Sequence, residues 1–113
     1  MTDEVDLTAL RRYEDIFGPE KMRELWLEYL DKAENDLKDV ENKNREELRL
    51  LYHSLRSSSL VFGMNAFAAL CEQIEAAIVE QRPDAELCPL IKEGHLRFAA
   101  AVKTVTSRFA GGN

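Results

Sequence analysis

Cysteine, proline and glycine are scarce in this chain: two, three and five among 113 residues. Cys71 and Cys88 stand in no CxxC or metal-finger spacing, so a zinc module and a disulfide framework are excluded and both are read as free thiols. No stretch approaches the ~18 uninterrupted apolar residues of a membrane span. The start, Met1 to Asp6, is acidic and has no apolar run, so a secretory leader is not expected. Basic residues are outnumbered, 15 against 21 acidic, leaving a net charge of -6. That balance argues against a nucleic-acid binder, whose basic stripe is missing, and Arg11 and Arg12 are too few to replace it. No segment alternates convincingly enough for a strand, and there is no internal repeat or low-complexity tract.

What remains is an apolar fraction of 45%, sufficient for a core, in a length that fits one domain over residues 1–113. The apolar residues recur at helical spacing. A short first helix is expected from about Thr8 to Ile16, capped by Asp6 or Thr8. Gly18-Pro19 stops it and starts the next, whose apolar face runs from Met22 through Trp26 and Tyr29 to Val40. Trp26 and Tyr29 are read as packing residues. Polar Glu41 to Asn44 reads as a turn, with Asn44 able to cap a helix from Arg45 or Glu46 to Phe62. After a break at Gly63-Met64-Asn65, a helix carries Phe67, Leu70, Cys71, Ile74, Ala77 and Ile78, and ends before Arg82-Pro83-Asp84. The last helix carries Leu90, Ile91, Leu96, Phe98, Ala99, Val102, Val105 and Phe109 and frays at Gly111-Gly112, with Pro89 in or near its first turn, or inside a kinked helix that starts earlier. The fold expected is all-α: an antiparallel up-and-down four-helix bundle with a short additional N-terminal helix.

At about 100° per residue, Leu48, Leu51, Leu55, Ser58 and Phe62 fall within one arc, the expected core face, and His53 lies nearly opposite. Around it on the outer face are Arg49, Leu50, Arg56, Ser57 and Leu60, a mixture of guanidiniums and apolar groups that suggests a docking surface around a reactive imidazole. If the helices flanking Gly63 run antiparallel, their levels mirror about residue 64. His53 and Glu75 both lie eleven positions from that point. A carboxylate at the level of the imidazole would hold one ring N–H and leave the other nitrogen's lone pair free as a nucleophile. His95 has no such context and is read as structural or surface. Ser57-Ser58-Ser59 is read as small-residue packing, since no nucleophile elbow surrounds it.

His53-Ser54-Leu55-Arg56-Ser57, the small-residue run after it and Gly63, ten positions past the His, resemble the signature of histidine-containing phosphotransfer (HPt) domains. The family pattern reads H-x-L-K-G, so Arg56 stands at its Lys and Ser57 at its Gly. The motif spans about His53 to Glu75, and the helix pattern is similar over essentially the whole chain. The resemblance implies that His53 is a phosphoacceptor, Glu75 orients its imidazole, Arg56 offsets the phosphate charge and Ser57 is a small docking position. Leu50, Leu60 and Val61 would then contact a partner's apolar surface, Arg49 would face its acidic pocket, and Gly63 would be structural. Arg56 keeps the charge but offers a wider fork, which bears on receiver preference.

The partners implied are response-regulator receiver domains and a histidine kinase or hybrid kinase, without nucleic acid or direct membrane contact. The chain is expected to be a monomeric, cytoplasmic carrier without kinase activity. It is expected to hold no cofactor or metal of its own, the Mg²⁺ belonging to the receiver. Two other readings compete: a non-catalytic helical adaptor, and the phosphoacceptor domain of a chemotaxis-type kinase. Met1 and the Gly111-Gly112-Asn113 tail suit a free-standing protein, as they would an excised domain.

Overall fold

Asp6 starts the first helix. Its Oδ1 accepts from the backbone N–H groups of Thr8 and Ala9 at 3.0 and 3.2 Å, satisfying two donors that a helix N-terminus leaves unpaired. In the computed structural model, which describes residues 4–110, this helix, α1, covers Leu7–Phe17. Gly18, at φ +87°, ends it, and Pro19 opens α2, Pro19–Lys38. Proline suits that position because its φ is already helical and its missing N–H would have had no partner. The helix stops two residues short of Val40, which begins instead a short 3-10 turn, Val40–Asn42. Asn44 and Glu47 then form a reciprocal capping box, each side chain accepting from the other's backbone N–H, and α3 covers Arg45–Val61. The fourth helix, α4, is Asn65–Val79, and the fifth, α5, is Asp84–Ala110. The fraying expected at Gly111-Gly112 lies outside the described residues.

Helix α5 starts well before Leu90, so Pro89 is inside it and not in its first turn. The Pro83 carbonyl accepts from Glu86 and Leu87 N–H at 2.9 and 3.1 Å, which nucleates the helix at Asp84. Asp84 and Glu86 supply negative charge to its first turn. Pro89 lacks the N–H that would reach the carbonyl of Ala85, but both residues are exposed, so water serves that carbonyl at little cost.

All described helices contribute to one core, and no strand occurs among the described residues. Trp26 is its largest fully buried side chain, edge-on to Phe62 with ring centroids 5.1 Å apart and donating from Nε1 to Thr106 Oγ1 at 3.3 Å. Phe67 of α4 meets Phe98 of α5 edge-on at 5.2 Å.

The buried arc of α3 differs from expectation. Leu48, Tyr52, Leu55, Ser59 and Phe62 are buried, whereas Leu51 is half-buried and Ser58 exposed. The core face is thus rotated by about 40° on a 100°-per-residue wheel. The cause is unequal packing: α3 lies against α4 over most of its length and touches α2 much less. Burial follows the closer neighbour, and His53 is therefore tilted towards α4 instead of standing opposite the core.

Candidate functional site

The turn between α3 and α4 sets the level of everything on the two helices. Gly63 sits there at φ +71°, a conformation that side-chain-bearing residues rarely adopt. Its carbonyl accepts from Asp6 N–H at 2.6 Å, and a Cβ at this position would lie 2.3 Å from the Asp6 carbonyl oxygen. Glycine is required on both counts, and the segment before α1 locks the turn in place. With the turn fixed, residues equidistant from position 64 face each other across the helix pair: His53 meets Glu75, and Arg56 meets Glu72.

His53 is exposed, its side chain 59% accessible, whereas that of Glu75 is only 20% accessible. Its Nδ1 lies 3.0 Å from Glu75 Oε1 and 3.3 Å from Oε2. A carboxylate only accepts, so Nδ1 carries the proton and donates it, and the lone pair of the neutral ring resides on Nε2. No hydrogen bond from a described residue reaches Nε2. The arrangement is an oriented imidazole with one nitrogen held and the other open to an incoming electrophile.

The surrounding charge is less basic than the outer face of α3 alone implies. Arg49 forms a two-pronged contact with Glu46, Nη2 to Oε1 at 2.5 Å and Nε to Oε2 at 3.0 Å. That hydrogen bonding raises the Arg49 pKa and lowers that of Glu46. Arg56 Nε stands 3.8 Å from Glu72 Oε2. Each guanidinium has an acidic neighbour, so the face around His53 is a mosaic and not a basic patch.

Leu50 and Leu60 are exposed, at 54% and 42%, on the same side of α3 as the imidazole, and Ser57 is exposed one turn from His53. Val61 is half-buried and turns away, onto a crevice of about 430 Å³ between α1, α2 and α3. Phe17, Leu25, Tyr29, Leu51 and Phe62 give that crevice apolar walls, with Glu28 and Lys32 at its edge. It flanks α3 on the side away from Glu75. The structure therefore gathers His53, Arg56, Ser57, Glu75, Leu50 and Leu60 on one surface, pairs Arg49 within α3, and separates Val61 from the rest.

The remaining candidates lie apart. His95 is half-buried in α5 beside Val40 and Ile91. Cys71 is buried and Cys88 exposed, both as free thiols. In the serine run only Ser59 is fully buried, hydrogen-bonded to Tyr29 Oη at 2.6 Å. Among the described residues no group of three or more His, Cys, Asp or Glu side chains gathers for a metal ion, and no helix is long and apolar enough to cross a membrane. Two residues of consequence escaped the sequence reading. Glu72 is one, although the mirror relation that pairs His53 with Glu75 also pairs Arg56 with it. Asp6, read only as a helix cap, is the other, since no local pattern signals its contact with Gly63.

Residues 20–105 match the family model described as the Hpt domain. No curated protein and no solved structure matches the chain.

Proposed function

The chain belongs to the Hpt domain family, phosphocarriers of two-component signalling and not kinases, and from that premise we propose that His53 is its phosphoacceptor. One observation carries the assignment: the exposed imidazole whose Nδ1–H is held at 3.0 Å by a largely covered carboxylate, Glu75. The donor is an aspartyl phosphate on a receiver domain. The Nε2 lone pair attacks phosphorus, an N–P bond forms, and the P–O bond to the donor's carboxylate breaks with its electron pair leaving on that carboxylate. The ring gains positive charge, which Glu75 offsets through the retained Nδ1 proton. Transfer to a second receiver aspartate runs the same step in reverse.

In-line displacement needs an unobstructed nucleophile, which an outward imidazole supplies. Leu50 and Leu60 give a receiver apolar contact, small Ser57 allows close approach, and Arg56 answers the phosphoryl charge. Arg49 serves a partner's acidic pocket only if it leaves Glu46. The Mg²⁺ that assists such transfers is assigned to the receiver. The reading also comprises one domain over residues 1–113, monomeric and cytoplasmic, with α2 to α5 in an antiparallel up-and-down bundle. Support for that arrangement comes from pairs such as Arg23 with the Phe109 carbonyl, Tyr29 with Ser59, and His53 with Glu75.

The test is incubation with a panel of phosphorylated receiver domains. The expected result is an acid-labile, base-stable label on His53, absent from His53→Gln at unchanged helicity, since an exposed side chain contributes little to stability. Binding to a partner without any label, retained in His53→Gln, would instead identify a non-catalytic adaptor.

A further inference from the structure

Two pairs cross from α3 to α4 one turn apart, and they are built differently. His53 and Glu75 share a hydrogen bond, with the carboxylate largely covered. Arg56 and Glu72 are both exposed, at 41% and 63%, and their 3.8 Å separation is too long for an N–H···O bond. Arg56 is three residues after His53 and Glu72 three before Glu75, so on each helix the two members are neighbours on one face. The guanidinium is therefore held near the imidazole by an exposed charge contact that a stronger anion displaces.

We propose that Glu72 is a positioning residue that competes with the phosphoryl group for Arg56 and so sets how long the phosphorylated imidazole persists. The proposal rests on His53 being the phosphoacceptor. A phosphoryl group brings a charge of about -1.5 to -2 to within one helical turn of Arg56. The guanidinium's planar fork engages phosphate oxygens in two-pronged fashion, which a carboxylate 3.8 Å away cannot match. Moving to the phosphate costs Arg56 its contact with Glu72, and leaves Glu72 unneutralised close to another anion. Both effects raise the free energy of the phosphorylated form.

The same competition acts on the rate of loss. Phosphoryl transfer proceeds through a loose transition state in which charge on the phosphoryl oxygens is dispersed. A cation clamped on those oxygens stabilises the ground state more than that transition state, and slows departure. Glu72 weakens the clamp, so the group is held long enough to be passed on but not stored.

The test uses the full chain, as wild type, Glu72→Gln, Arg56→Gln and the double variant, with potassium phosphoramidate as donor. Here the P–N bond of the donor breaks, ammonia leaves and the N–P bond to Nε2 forms. Decay is followed by phosphorus NMR after the donor is removed. Glu72→Gln is expected to lengthen the phosphohistidine lifetime about two- to fivefold, the span that exposed ion pairs produce in an equilibrium. The phosphoryl resonance should titrate at lower pH in that variant, a change that a merely structural role would not produce. In the Arg56→Gln background the effect of Glu72→Gln should shrink to the smaller part that direct repulsion between Glu72 and the phosphoryl group supplies. Equal lifetimes in wild type and Glu72→Gln, or the same gain without Arg56, would overturn the role of Glu72 while leaving His53 as acceptor. A wild-type protein that takes no label on His53 would overturn both.

Discussion

Glu75 reaches across the α3–α4 pair to hold His53, its Oε1 3.0 Å from Nδ1, and it does so from a position where most of its own side chain is covered. A covered carboxylate has few alternative partners and little freedom, so it fixes the ring's rotation as well as its tautomer. Replacing it separates orientation from charge.

Glu75→Ala is expected to slow phosphoryl transfer to His53 about tenfold or more, the scale of a hydrogen bond to a charged group. Glu75→Gln should fall between wild type and Ala, because its amide oxygen still accepts from Nδ1–H but offers no charge to the ring. Rates with a phosphorylated receiver, alongside circular dichroism, check this. An unchanged rate in Glu75→Ala would show that the hydrogen bond plays no part in the chemistry.

The Gly63 turn makes a separate prediction about stability. Alanine there would combine a strained positive φ with a Cβ 2.3 Å from a backbone oxygen that is itself tied back by the Asp6–Gly63 hydrogen bond. The expected loss for Gly63→Ala is about 2 kcal/mol or more, since strain of this kind costs of order 1–3 kcal/mol and the backbone clash adds to it. Urea unfolding measures it. In a chain lacking residues 1–6, itself less stable for want of the Asp6 cap and buried Val5, Gly63→Ala should cost less than in the full chain, because the clashing carbonyl is gone. An equal cost in both chains would place all of it in the φ angle.

Much of this site was legible in the sequence, and the reason is geometric. A tight turn at a glycine makes two helices mirror images in level, so Glu75 could be paired with His53 by counting from residue 64, and the capping and breaking residues located most helix ends. Rotation about the helix axis was harder to read. The apolar stripe of α3 is wide, including Leu51 as well as Tyr52, and only the closer approach of α4 decides which edge is buried. The charge balance around His53 escaped for a related reason. Glu72 belongs to the other helix, and reading α3 alone shows two arginines without the carboxylate that stands beside Arg56. The early start of α5 was obscured by Pro89, because a proline in the second turn looks much like one that begins a helix.

Ser59 and Tyr29 tie α3 to α2, where packing is otherwise sparse. Their hydroxyls are 2.6 Å apart, with Ser59 fully buried, and burial pushes the Tyr29 hydroxyl's pKa up. Tyr29→Phe leaves the Ser59 hydroxyl buried without its partner and is expected to cost about 1–3 kcal/mol. Ser59→Ala should cost less, because half-buried Tyr29 can turn to water. In the double variant the losses should sum to less than the two single ones, as a shared hydrogen bond requires. Strict additivity in urea unfolding would sink the assignment.

Cys71 gives the fold a dependence on alkaline pH. It is fully buried on α4, and loss of hydration pushes its thiol from 9.0 up to about 12. Well below pH 9 the thiol is protonated in both folded and unfolded chains and contributes no pH dependence. Above 9.0 the unfolded chain gives up the proton while the folded chain keeps it, so the folded state binds more protons and stability falls as pH rises towards 12. Burial pushes the Tyr29 and Tyr52 hydroxyls in the same direction from 10.0, so the interval just above pH 9 isolates the thiol best. Urea unfolding of wild type and Cys71→Ala from pH 8 to 10 makes the comparison. The variant should be less stable throughout, from the cavity it creates, but its stability should decline less steeply over that interval. Parallel declines would mean that the Cys71 thiol titrates alike in both states. A thiol reagent adds a direct check at pH 9: exposed Cys88 should react at once, and Cys71 only as the protein unfolds.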